Sequence, residues 1–166
     1  ACAHRAATTG DPALAAAADE RLTAVKLARE ARDSSLRTGR QLLSLAKQVF
    51  GGEALTEYAA RVRDGGAPAN HAVILGLTMA TLGIPREDAL AGELYTFSAG
   101  CTGAALRMAL VDHRQVQAVL HGLKPVIAEV ALANLNKDVG EIAGCTPMAE
   151  IMAMRHETAE IRLFAS

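Results

Sequence analysis

The chain has 166 residues and a mass of 17.3 kDa, a length that suits one domain with a packed core. Apolar residues make up 51% of it and aromatic residues only 3%, and an apolar fraction supplied by alanine and leucine favours helices over strands. The net charge of −1 provides no basic surface for nucleic acid or an anionic membrane, so neither is expected as a partner.

Capping residues, glycines and prolines divide the chain into helices, and no segment of useful length alternates with the period of a strand. Asp11 starts the first helix, while Asn70 and Asp112 cap later ones. The first helical stretch is one long helix or two with a bend at residues 33–35, and Pro125 predicts a kink or a break. The sequence therefore predicts an all-α bundle of about seven helices in a single domain, residues 1–166. The predicted helical segments cover residues 12–50, 53–62, 71–82, 85–110, 113–135, a short turn that ends at 144, and 147–157.

The helix predicted over residues 85–110 carries one apolar stripe, in which residues recur at spacings of three and four. Cys101 lies on this stripe, where a thiol usually behaves as a small buried side chain. Gly100 and Gly103 lie inside the same helix, although each glycine costs about 1 kcal/mol relative to alanine there. We therefore expect another helix to approach closely at these two glycines, either within the chain or across a dimer.

Cysteine use and hydropathy indicate a cytoplasmic protein. The three cysteines are an odd number and form no Cys-x-x-Cys pair, which favours a reducing compartment over a disulfide scaffold. Cys145 precedes a predicted helix start, but no histidine and aspartate are arranged beside it in the sequence. The longest apolar run, residues 72–85, is too short to cross a bilayer.

Motifs for catalysis and for metal or nucleotide binding are largely missing. The Glu-x-x-His pattern of di-metal helical bundles does not occur, and no glycine-rich phosphate loop follows a strand. His156 and Glu160 lie one helical turn apart and form a possible metal pair, as do Cys2 and His4. A helical metal-binding protein or hydrolase that uses His71, His156 and Glu160 is therefore the alternative function.

The C-terminal segment is unusually apolar for a chain end, because termini are normally polar and poorly ordered. Ile161, Leu163 and Phe164 lie within the last six residues, with Arg162 among them. One interpretation is that this tail folds back onto its own bundle. The other is that it docks onto another protein, since aromatic residues and arginine are enriched at interface hot spots.

Two short motifs mark the same segment, Met-Arg-His-Glu-Thr at residues 154–158 and Arg-Leu-Phe-Ala-Ser at residues 162–166. In this order and at this distance from the chain end they resemble the C-terminus of the urease accessory protein UreF family. The Leu-Gly-Ile-Pro turn at residues 82–85 and the Ala-Ala-Leu-Arg run at 104–107 also match. Family members begin with a further segment that bears Phe-Pro-x-Gly-like and His-Gly-Leu-Glu-like motifs, so the resemblance implies that an N-terminal segment is missing here.

The resemblance implies a non-enzymatic, all-helical protein that dimerises and helps to insert nickel into apo-urease. It implies binding of the accessory protein UreH, also called UreD, through the C-terminal tail, and recruitment of the GTPase UreG. Nickel and GTP would then be bound by UreG, and this chain would bind no cofactor itself. The residues expected to bind the partner or to position the tail are Arg155, His156, Glu157, Arg162, Leu163 and Phe164.

Overall fold

The computed structural model describes residues 1–144 and 146–158, and this part of the chain is mainly helical and contains no strand. The all-α prediction is therefore confirmed. The sequence pattern does not predict the first helix, and it leaves open whether the long stretch that follows is one helix or two. The elements are α1 (Cys2–Thr9), α2 (Pro12–Val25), α3 (Arg29–Val49), α4 (Glu53–Arg63), α5 (His71–Thr81), α6 (Arg86–Arg107), α7 (His113–Asn134), a 3-10 helix (Val139–Glu141) and α8 (Pro147–Glu157).

The helices group into two compact units. The larger unit contains Cys2–Gly83 together with the described residues from Lys137 onward, and the hairpin unit contains Ile84–Asn136. The single domain expected for residues 1–166 stays a prediction.

The core of the larger unit is built mainly from alanine, with a few larger side chains. The nearly charge-free helix α5 packs against α1 and α3, and its residues Val73, Ile74 and Leu77 are buried. Leu55 and Tyr58 of α4 are fully buried beside it. Small side chains let helices approach closely, which is how an aromatic-poor chain fills its interior.

The break in the first helical stretch falls at residues 26–28, and the predicted bend at residues 33–35 is wrong. Ser34 and Ser35 lie inside α3, where the Thr38 hydroxyl donates to the carbonyl oxygen of Ser34 at 2.8 Å. The backbone of Ala28 is extended (φ −67°, ψ 124°) and no side chain of its own caps the helix that follows. The start of α3 is capped instead by Glu157, a residue distant in sequence, and a local sequence pattern cannot predict such a contact.

The hairpin unit consists of α6 and α7 packed against each other. Asp112 caps α7 as predicted, because its side chain accepts from the backbone N of Gln115 at 2.8 Å while the Gln115 side chain accepts from the backbone N of Asp112. Pro125 predicts a kink or a break near Gly122, and the break is wrong, since α7 continues through this proline as one helix; a kink stays a prediction. By length and composition alone, α7 is long and apolar enough to cross a membrane, with a mean hydropathy of 1.3 over its most apolar window.

Many apolar side chains of the hairpin unit are exposed. Phe97 is 70% exposed and Leu110 is 69% exposed, and only Ala89 of α6 is buried. Cys101 is also exposed, so its predicted burial is wrong. The spacing of three and four residues in α6 correctly predicts the helix, but the described residues leave most of its apolar stripe unburied.

Candidate functional site

Helix α8 of the larger unit carries most of the first C-terminal motif, residues 154–158, and contacts α3. Pro147 occupies the first turn, as expected for a helix start, and no residue of α8 is buried. Its apolar side chains face solvent, with Met148 67% exposed and Ile151 47% exposed. Apolar packing therefore contributes little to holding α8 in place, and polar contacts at its C-terminal end contribute more.

These polar contacts join α8 to the first turn of α3. The backbone N of Glu30 donates to Glu157 Oε1 at 3.0 Å, and His156 Nδ1 lies 2.8 Å from Glu30 Oε2. Arg29 Nε lies 3.8 Å from Glu157 Oε2. We call this set of contacts the α3–α8 clamp. Because Ala28 provides no cap, Glu157 acts as a tertiary N-cap, and its negative charge is favourable at the positive end of α3.

The residues that the sequence predicts for partner binding differ in their exposure to solvent. His156 and Glu157 are half-buried against α3, whereas Arg155 is exposed. Arg162, Leu163 and Phe164 lie outside the described residues, and so does Glu160. Of the six selected residues, the structure therefore describes three, of which two fix the position from which the C-terminal tail begins.

A second polar cluster lies inside the larger unit, around the fully buried Asp19. Its carboxylate accepts from the Tyr58 hydroxyl at 2.7 Å, the backbone N of Ala69 at 2.7 Å and the backbone N of Asn70 at 2.9 Å. The Asn70 side chain donates to Asp19 Oδ1 at 2.8 Å and to Thr23 Oγ1 at 2.6 Å. We call these residues the Asp19 cluster. It anchors the loop before α5 to α2 and α4.

The Asp19 cluster changes the role predicted for Asn70. This residue stands at the N-cap position of α5, but its side chain makes no capping hydrogen bond to that helix. The side-chain oxygen instead accepts from the Ser35 hydroxyl of α3 at 3.0 Å. Burial and the hydrogen bond to Asp19 raise the pKa of Tyr58, so the phenol stays protonated and keeps donating. The only sequence signal for this cluster is a lone aspartate in an alanine-rich helix.

Close helix contacts occur at glycines other than those predicted. A Cβ at Gly39 would lie 2.0 Å from the carbonyl oxygen of Ala69, and one at Gly76 would lie 3.2 Å from Ala3 Cβ. Within the described residues, a Cβ at Gly100 would meet no atom within 4 Å, and one at Gly103 would meet only an Arg107 side-chain nitrogen at 3.6 Å. The contact expected at Gly100 and Gly103 within the chain is therefore not found, while contact across a dimer stays a prediction.

The described residues that were considered for metal or thiol chemistry form no cluster of metal ligands. Among residues 1–144 and 146–158, no group of three or more histidine, cysteine, aspartate or glutamate side chains is placed to hold a metal ion. Cys2 is buried and its thiol donates to the carbonyl oxygen of Lys137 at 3.4 Å. The backbone N of His71 donates to Ser35 Oγ at 3.4 Å. Cys145 lies outside the described residues.

The comparisons with known proteins agree with one another. A family model described as UreF matches residues 1–124. The urease accessory protein UreF of Paenarthrobacter aurescens is 33% identical over 147 residues, which cover 87% of this chain and 65% of that protein. The urease accessory protein UreF 1 of Brucella melitensis is 27% identical over 162 residues, covering 98% of this chain and 67% of its own length. The chain thus spans about two thirds of the length of these relatives.

Proposed function

Because the chain belongs to the UreF family, we propose that it is an accessory protein of urease maturation that acts as a scaffold and not as an enzyme. The proposal assigns to it binding of UreH/UreD through the C-terminal tail, recruitment of the GTPase UreG, and delivery of nickel to apo-urease in the cytoplasm. Nickel is the cargo of this assembly, and nickel and GTP are assigned to UreG. The chain itself is assigned no cofactor.

The observation that carries the proposal is the α3–α8 clamp. Glu157 and His156 attach the C-terminal end of α8 to the first turn of α3, which gives the described chain a fixed end point directly before the tail. A tail that starts from a fixed point loses less conformational entropy on docking than one that starts from a free helix. In this proposal Arg162 forms charge-assisted hydrogen bonds to UreH, and Leu163 and Phe164 fill an apolar pocket.

Co-purification with UreH tests the tail assignment. We expect deletion of residues 162–166 to abolish the complex, and Arg155→Ala to weaken it, because Arg155 is exposed beside the clamp. Arg63→Ala is the matched control, since Arg63 is an exposed arginine paired only with the adjacent Asp64 among the described residues. Unchanged complex formation after the deletion would refute the tail assignment.

The hairpin unit supports a second part of the proposal, that the protein is a homodimer within the complex. Phe97 of α6 and Leu110, in the turn that follows α6, are largely exposed, and exposed apolar side chains within one unit are typical of an interaction surface. Gly100 and Gly103 lie on α6, open to close approach by a second copy. Gly103→Leu is expected to weaken the dimer, which analytical ultracentrifugation measures. An unchanged oligomeric state and an unchanged thermal stability would together contradict this part.

A further inference from the structure

A pocket of about 260 Å³ lies in the larger unit, between the turn that joins α1 to α2 and the N-terminal half of α4. Its apolar lining consists mostly of small side chains, including Ala6 and Ala15, with Leu77 of α5 as the largest aliphatic group. These side chains are too short to fill the space between the helices. A pocket of this size has room for several waters or for one long side chain.

Three carboxylates line this pocket: Asp11, Glu53 and Glu57. Two of them have a local structural role, because Asp11 accepts from the backbone N of Leu14 at 3.0 Å and Glu53 stands in the first turn of α4. Glu57 has no such role. Among the described residues, the side chains of Glu53 and Glu57 form neither a hydrogen bond nor an ion pair.

The arrangement of these carboxylates is unfavourable for the isolated chain. Glu53 and Glu57 are four residues apart on α4, and like charges at this spacing repel each other across one helical turn. No lysine, arginine or histidine is among the residues that line the pocket. Arg61 follows one turn after Glu57 on α4, but it does not line the pocket and forms no ion pair with Glu57 among the described residues. The pocket therefore combines an apolar floor with carboxylates that no cation of its own lining pairs with.

We propose that this pocket binds the arginine side chain of a protein partner. The aliphatic part of an arginine fits the alanine and leucine floor, while its guanidinium reaches the carboxylates of Glu53 and Glu57. A planar guanidinium donates in several directions at once and can bridge two carboxylates, whereas the ammonium of lysine is a compact and strongly hydrated charge. The occupant is thus a basic anchor residue, and the proposal does not depend on the tail assignment.

Titration of the ¹⁵N-labelled full chain with a blocked Gly-Arg-Gly peptide tests this proposal by NMR. We expect saturable shifts of the backbone amides of Ala7, Ala54 and Glu57, and no such shifts with the matched citrulline peptide, which has the same shape and no charge. The matched lysine peptide is expected to bind more weakly. Equal shifts with the citrulline peptide, or tighter binding of the lysine peptide, would overturn the proposal.

Substitutions of single acidic residues test whether the pocket carboxylates bind the arginine peptide. Glu57→Gln is expected to weaken binding of the arginine peptide about fivefold, the upper range for one exposed ion pair. Glu20→Gln is the control, because Glu20 is an exposed acid of α2 that does not line the pocket. Equal effects of both variants would show a general response to the net charge and refute a site. Tighter binding of free arginine than of the blocked peptide would identify a small metabolite as the occupant and also refute the proposal.

Discussion

Replacing Gly39 by alanine is expected to destabilise the larger unit, although alanine is the better helix former. Gly39 lies in the middle of α3, where the loop before α5 crosses it. A Cβ at this position would lie 2.0 Å from the carbonyl oxygen of Ala69 and 2.7 Å from the backbone N of His71. Both atoms belong to the backbone, so no side-chain rotation relieves the overlap.

The size of the effect follows from what must move. Real Cβ contacts are essentially never shorter than 3.0 Å, so the Ala69 carbonyl must shift by about 1.0 Å. That shift strains the hydrogen bonds that Ala69 and Asn70 donate to the buried Asp19. Overpacking costs about 1–3 kcal/mol and loss of a hydrogen bond to a charged group about 1.5–3 kcal/mol, against a helix-propensity gain of about 1 kcal/mol. We therefore expect a net loss of about 1.5–5 kcal/mol in the free energy of unfolding.

Urea denaturation followed by far-UV circular dichroism measures this loss. Ser44→Ala is the control on the same helix, because Ser44 is exposed and the change offers only a small gain in helix propensity. We expect this control to unfold within about 0.5 kcal/mol of the parent chain. A Gly39→Ala variant as stable as the Ser44→Ala variant would refute the close approach of the loop to α3.

Three further predictions concern the buried and clamping carboxylates. Asp19→Asn places an amide NH2 group, itself a donor, against the four hydrogen-bond donors that surround the carboxylate. The expected loss in the free energy of unfolding is about 2–4 kcal/mol in the same denaturation assay. A loss below about 1 kcal/mol would contradict the four-donor arrangement. The pKa of Tyr58 is raised from its usual 10.0, so the unfolded chain loses the phenolic proton first and stability should fall as the pH rises above 10.0. Tyr58→Phe should remove up to about 1.4 kcal/mol per pH unit of that slope, and equal slopes in both chains would contradict it. Glu157→Ala removes the tertiary cap of α3 and is expected to lower the free energy of unfolding by about 1 kcal/mol. It should also speed amide hydrogen exchange throughout α8. Unchanged exchange would show that the clamp does not hold this helix.

The sequence alone determined the helical class and most helix boundaries, because the signals that set them are local. Asp11 and Asp112 cap the helices that follow them as predicted, since a capping side chain reaches only two or three residues ahead. The Met-Arg-His-Glu-Thr and Arg-Leu-Phe-Ala-Ser motifs indicated the family for the same reason, as short strings at a fixed distance from the chain end.

The tertiary structure alone decided which residues meet. Gly39 and Gly100 are both glycines inside helices, and only the path of the loop before α5 makes one of them a close contact. Glu157 caps a helix that begins more than a hundred residues earlier, and Asn70 turns from its own helix to Asp19, a carboxylate on another helix. Such pairings depend on the packing of distant segments, where burial makes an unpaired polar group costly and so selects partners that no local pattern reveals.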